Sequence, residues 1–319
     1  KIEFIEDETG WNGRDENIFV HGKDGKVKLW DFVDGMDCSK HELLKDHVFL
    51  ITRMFDERIK SFIKNILMGP GKDKVPMKFY SYRVEIQARG NKCLINILKE
   101  SFKMFFLGLP HIHGVAWIDP DWLKNFGIYG NLIDYPEKTI ELADKLVSCS
   151  IRTPDEELNS IVKDVQKHNH SKSCQKYGTS CRFGFPKLPA RYTLIAQPLP
   201  DSLDPEEKES KEEQAKKVLT AAKELLESPD IEEDMSIDQF IKALGVTDKE
   251  YHELISIMEK GTKLIHKRNV NERFINCYNP EIQKALQGNT DFQLAFDIYS
   301  VVTYMVSYVS KDDTGMTKF

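Results

Sequence analysis

Two histidines one residue apart, His111-Ile112-His113, could together hold a metal ion. Side chains alternate between the faces of a β-strand, so residues i and i+2 project together and two imidazoles can share one divalent cation. A third donor is available from a neighbouring strand, where Gln87 and Glu85 both lie on the polar face and either could reach the ion. A neutral third ligand leaves the cation more electrophilic toward phosphate. Alone, such a pair more often marks a partly buried strand; its context gives it weight.

That context includes Tyr304 and Tyr308. At helical spacing i and i+4 sit one above the other, and Lys311 falls on the same face. Aromatic residues so spaced are usually core. Beside a metal-binding pair they suggest something sharper. A phenol with a pKa of about 10 is a poor nucleophile at neutral pH. A cation polarising a phosphate, with a lysine to favour phenolate or leaving-group charge, makes its attack feasible.

A third cluster runs Cys149…His168-Asn-His170-Ser-Lys-Ser-Cys174…Cys181. Thiolates and imidazoles at this spacing suit a closed tetrahedral zinc site in a reducing compartment, against the bland reading of unmetallated loop thiols. The expected set is Cys149, His170, Cys174 and Cys181, with His168 as the spare. Cys38, Cys93 and Cys277 lack such company and read as buried apolar residues. In the following CRFGFPKLPAR, Arg182, Lys187 and Arg191 interleave with aromatics, a mixture that suits phosphates and unpaired bases.

These groups must be positioned by ordinary elements. Residues 46–68 place Phe55, Ile59, Phe62 and Ile66 along one helical stripe that ends at Gly69-Pro70-Gly71. Residues 78–87 alternate: Ser81, Arg83, Glu85 and Gln87 point one way, and Tyr80, Tyr82, Val84 and Ile86 the other. Residues 109–118 form a second strand, with Leu109, His111, His113 and Val115 on one face. Helices are expected over 134–148 and 292–311. The domains read as an extension at 1–45, a sheet-bearing domain at 46–148, the Cys/His segment at 149–199, an acidic helical insertion at 200–260 and the tyrosine helix at 261–319. The opening Lys1-Ile-Glu-Phe reads as a cut from a longer polypeptide.

Composition narrows the class. With 40% apolar and 30% charged residues the chain is neither disordered nor, lacking a long apolar run, membrane-spanning. Six cysteines in 319 residues are too few for a disulfide scaffold. A net charge of −6 would argue against nucleic acid, yet residues 201–260 hold 18 acidic and 8 basic residues, or −10, leaving +4 elsewhere. An acidic module masks a mildly basic body.

In this order the blocks RVEIQARG (83–90), GLPHIHGVAWI (108–118), VQKHNHSKSCQKYGTSCRFGFPK (165–187), NVNERFINCYNPEI (269–282) and YSVVTYMVSYVSKDDTGM (299–316) resemble the replication-initiator domain of Helitron transposases, particularly the Helentron branch, within the HUH endonuclease family. The resemblance covers most of the chain from about residue 46. It implies an α+β fold: a ferredoxin-like HUH core with a central antiparallel sheet, a zinc-binding subdomain and the acidic helical insertion. His111 and His113 match the family's metal pair for Mg²⁺ or Mn²⁺, Gln87 the usual third ligand with Glu85 the second choice, and Tyr304 and Tyr308 the tyrosine pair. One tyrosine would form a 5′-phosphotyrosine bond with single-stranded DNA at transposon ends and free a 3′-hydroxyl, without ATP. Arg89 joins the DNA contacts. The implied setting is nuclear, and the implied partner a helicase domain of the same polypeptide.

This sequence departs from the family's pattern at NKCLINILKESFKMFFLG (91–108), which separates two blocks that are usually continuous. Removing it restores VEIQARGLPHIHGVAWI, which points to a retained in-frame intron. As protein it would make a long excursion beside the metal pair, and the alternative function is then a catalytically impaired DNA-binding relic.

Overall fold

The computed structural model describes residues 2–4, 18–22, 25–28, 48–71, 74–86, 110–170, 174–175, 180–229, 231–232, 234–257, 261–296 and 298–309. The chain is mixed α and β with small antiparallel sheets, and it divides into two compact units: 1–122 with 298–319, and 123–297. The sheet-bearing unit thus ends at Trp122, not at 148, and the C-terminal part joins it from Ile298, not from 261. Residues 123–148 belong with the second unit because Ser148 bridges Tyr278 there. The segment 91–108, Gln87, Arg89 and Lys311 lie outside the described residues.

In the first unit, β1 (Ile2–Phe4), β2 (Ile18–Gly22) and β3 (Gly25–Lys28) form an antiparallel sheet in that order. Helix α1 (Val48–Phe62) continues into a π-helical turn, Ile63–Leu67, and buries Ile59, Phe62 and Ile63; of the expected stripe Ile59 and Phe62 are buried, Phe55 and Ile66 are half-buried, and Ile63 joins them. Two strands rich in aromatic and β-branched residues, β4 (Met77–Ile86) and β5 (Pro110–Ile118), pair antiparallel with each other. Among the described residues neither pairs with another strand. Helix α2 (Pro120–Phe126) follows.

The second unit opens with α3 (Pro136–Leu146), begun by a proline whose fixed φ suits the first helical position; it buries Thr139, Leu142, Ala143 and Leu146 on one face. Helix α4 (Glu156–Val165) is capped by Asp155, which accepts from the Leu158 N–H, and packs Leu158 and Val162 against Ile275 and Tyr278. Strand β6 (Leu194–Ala196) pairs with β7 (Lys263–Ile265) across the acidic insertion. That insertion is helical as expected: α5 (Pro205–Glu227), α6 (Ile237–Ala243) and α7 (Asp248–Ile255), the last two opened by capping boxes, Ser236 with Gln239 and Thr247 with Glu250. It does not form a core of its own. Leu226, Phe240, Tyr251 and Ile255 share one buried cluster with Ala190, Leu194, Ala196 and Val270. Helices α8 (Pro280–Leu286) and α9 (Ile298–Val309) complete the described chain, α9 belonging to the first unit. No helix among the described residues is long and apolar enough to cross a membrane.

Candidate functional site

The register of β4 on β5 builds the histidine site. Arg83 faces His113, Glu85 faces His111, and Ser81 faces Val115. Directly opposed residues share a face, so Phe79, Ser81 and Arg83 lie with His113, Val115 and Trp117, as the alternation in sequence required. Gly114 sits opposite Tyr82; a Cβ there would stand 3.2 Å from the Tyr82 Cβ and 3.3 Å from the Ser81 carbonyl oxygen, so glycine lets the strands close beside the histidines.

The imidazoles converge, with their Nε2 atoms 3.0 Å apart and their rings edge to face. Two nitrogens bound at right angles to one cation, each by a bond of about 2.1 Å, would themselves be about 3.0 Å apart, so the pair fits adjacent octahedral positions. Arg83 adds a further feature: its Nη1 is sealed from solvent without a hydrogen-bond partner. A buried cationic donor lacking an acceptor is costly, and a phosphate oxygen would satisfy it.

Within the same unit α9 packs against β5. Tyr304 and Tyr308 are residues of α9. Their side chains lie outside the described residues, as does that of Glu85.

The second unit gathers the Cys/His cluster, with one change of membership. His168, His170, Cys174 and Cys181 offer ligand atoms all within 4.8 Å of one another. His168 Nε2 is 3.4 Å from Cys181 Sγ, and His170 Nδ1 is 3.6 Å from Cys174 Sγ. A tetrahedral zinc with bonds of about 2.3 Å to sulfur and 2.0 Å to nitrogen spaces its donors by roughly 3.3–3.8 Å. Both contacts fall in that range, and the whole set lies within 4.8 Å. The group could hold a metal ion and suits structural zinc. Burial, with His170 and Lys187 nearby, holds the His168 imidazole below its ordinary value, which keeps its lone pair available.

Backbone bonds between distant blocks assemble this cluster. His168 N–H donates to the Phe274 carbonyl, Lys187 N–H to Arg273 and Asn276 N–H to Gln166, so segments 165–187 and 269–282 lie side by side. His168 stacks on Phe185 at 4.3 Å, and Cys174 and Cys181 pack with Phe185 and Phe274. Cys149, the expected fourth ligand, is elsewhere. It sits beside the Ser148–Tyr278 bridge with its sulfur 3.4 Å from Cys277. His168 takes its place, and Cys277, expected to be solitary, has a thiol partner.

The basic residues of this segment also sort differently from expectation. Arg182 is exposed and lies 4.5 Å over the exposed ring of Phe183, ready for a phosphate or base. Lys187 is folded back, its Nζ donating to the Phe183 carbonyl at 2.6 Å. Arg191 is engaged by the acidic insertion: Nη2 meets Asp238 at 2.6 Å and Nε meets Asp248 at 3.0 Å. The ion pairs satisfy its charge within the fold. Three features were not foreseen: the buried amide network of Gln166, Gln283 and Thr290, the neutral His266 and the Arg268 knot described below. Only the polarity of isolated Gln and Thr letters hinted at the first.

Compared with protein families, with characterised proteins and with solved structures, the chain matches none.

Proposed function

We propose that this chain is a metal-dependent tyrosine endonuclease and strand transferase for single-stranded DNA, built on a ferredoxin-like HUH core and acting in Helitron-type rolling-circle transposition. One observation carries the reading: the helix that contains Tyr304 and Tyr308 packs against the strand that contains His111 and His113. The two motifs lie 191 positions apart, counted from His113 to Tyr304, and their placement on touching elements supports a shared site.

Each group then has a task. His111 and His113, with Gln87 or Glu85, hold Mg²⁺ or Mn²⁺, which when bound withdraws electron density from the scissile phosphate. The guanidinium of Arg83, opposite His113, adds positive charge for the phosphate. A tyrosine oxygen bonds to phosphorus, the bond to the 3′ oxygen breaks, and that oxygen departs with a proton as a 3′-hydroxyl. The 5′-phosphate stays on the tyrosine, and Lys311 favours the charge on the attacking or leaving oxygen. Phe79 and Trp117, 61% and 43% exposed on the histidine face, offer rings on which unpaired bases stack. The zinc segment, with Arg182, offers a DNA contact of its own. A helicase domain of the same polypeptide would extend the freed end, in the nucleus.

The test is incubation of the chain with end-labelled single-stranded oligonucleotides and Mn²⁺ or Mg²⁺, followed by denaturing electrophoresis. Nicking and a protein-linked band are expected, both lost with chelator, with His111→Ala/His113→Ala and with Tyr304→Phe/Tyr308→Phe. An adduct that persists in the double tyrosine variant overturns the nucleophile assignment. Binding without any nick would leave the DNA-binding relic as the function.

A further inference from the structure

Cys149 and Cys277 belong to neither metal set, and the backbone places them as a facing pair. Ser148 and Tyr278 exchange both backbone hydrogen bonds, at 2.8 and 2.9 Å. One step along these antiparallel segments sets Cys149 opposite Cys277 at a position of the non-hydrogen-bonded kind, where α-carbons are about 4.5 Å apart. That spacing falls within the roughly 4.4–6.8 Å that a disulfide spans. The two sulfurs are 3.4 Å apart and both thiols are free.

The surroundings divide the pair chemically. Arg268 is buried and pinned by the carbonyls of Glu272 and Ile275, each at 2.6 Å, and its Nη2 stands 3.8 Å from Cys277 Sγ. Lys187 adds positive charge, Asp291 opposes it, and the Glu272 carboxylate bears on Cys149. The hydrogen bond from Cys149, with the charge of Arg268, holds Cys277 down at about 7 against the effect of burial. The same hydrogen bond and burial push Cys149 well up. Near neutral pH the shared proton therefore rests on Cys149 and the negative charge on Cys277, which is also the less buried of the two.

The geometry points to a peroxide-sensitive dithiol in which Cys277 is the sulfur oxidised and Cys149 the sulfur that closes the bond. The Cys277 thiolate attacks a hydroperoxide: an S–O bond forms, the O–O bond breaks, and the remaining oxygen leaves as an alcohol or water after taking a proton. Cys149 then attacks the sulfenic sulfur. An S–S bond forms, the S–O bond breaks, and hydroxide leaves as water with the proton from Cys149. Two electrons pass from the sulfurs to the peroxide. The bond would join residues 128 positions apart and lock the Ser148–Tyr278 bridge, so the span that includes the zinc segment and the acidic insertion becomes harder to unfold.

The experiment treats the zinc-loaded full chain with equimolar tert-butyl hydroperoxide, alkylates it in denaturant and maps the peptides by mass. A Cys149–Cys277-linked peptide is expected, with a raised thermal midpoint that dithiothreitol reverses. In Cys149→Ser the oxidation stops at Cys277, which then takes up a single 1,3-dione label. Alkylated Cys149 and Cys277 after the peroxide has been consumed, or oxidation that falls first on Cys174 and Cys181, would overturn the assignment. The peptide map of the unmutated chain decides the matter even if the serine variant folds poorly, and it does so whether or not the chain cuts DNA.

Discussion

At the metal cluster the fourth donor can be tested one side chain at a time. His168 lies 3.4 Å from Cys181, whereas Cys149 is committed to Cys277. Partners that only support a ligand are worth about 10–100-fold in metal affinity, so losing a direct donor costs at least that much. We expect His168→Ala to weaken zinc binding by tenfold or more and Cys149→Ser to leave it unchanged, measured by competition with a chromogenic chelator. The opposite ranking would return Cys149 to the set. The reason sequence pointed to the wrong residue is physical. Proximity along the chain favours His168 and His170 about equally, and both lie far from Cys149. What removes Cys149 is an antiparallel bridge to Tyr278, set by partners 130 residues apart, and no local pattern announces it. His168, by contrast, stands two residues from His170, and an H-x-H-x₃-C spacing could have named it.

At the scale of elements, legibility followed periodicity. The alternation in β4 fixed which residues share the histidine face, and Ile59 and Phe62 of the helical stripe marked the buried side of α1, while Phe55 and Ile66 are only half-buried. Prolines and capping boxes marked the helices of the acidic insertion. What could not be read was where that insertion lies, because charge counts do not say which cation a carboxylate meets. Asp238 and Asp248 meet Arg191, so Arg191 serves to hold α6 and α7 against the Pro189–Ala190 segment instead of holding DNA. Exposed ion pairs are worth about 0–1 kcal/mol each, and a forked arginine lies toward the upper end. Arg191→Ala should therefore lower stability by about 1 kcal/mol and leave oligonucleotide affinity within twofold, while Arg182→Ala weakens binding and flattens its salt dependence. Fluorescence anisotropy at several salt concentrations separates the two. An Arg191→Ala protein that binds several-fold more weakly would show that the insertion releases this side chain to DNA.

For the molecule as a whole, the strongest pH dependence should come from a histidine that belongs to neither metal set. His266 is 9% exposed, its Nδ1 has no hydrogen-bond partner, and burial together with Arg268 holds its pKa at about 4 against an ordinary 6.5. Asp144 opposes the shift without reversing it. Because the folded state disfavours the proton, the unfolded chain binds it first as pH falls. The stability associated with neutral His266 is thus complete above about 6.5 and drains away between 6.5 and 4. Each pKa unit corresponds to about 1.4 kcal/mol, so roughly 2 kcal/mol should be lost by pH 5 and about 3 kcal/mol in full. Carboxylates held low by their partners, such as Asp155 bonded to Lys284 and Glu250 at its cap, add losses only at lower pH, as they begin to protonate. The interval from 6.5 to 5 therefore lies above the carboxylates and belongs to the two imidazoles held low, the deeply buried His266 and the less buried His168. In urea titrations His266→Phe should lose clearly less stability across that interval than the unmutated chain, whatever the substitution does to stability at pH 7.5. Equal declines in both proteins would mean that the protonation lies elsewhere, on His168 above all, and that acid releases the metal before it reaches the core.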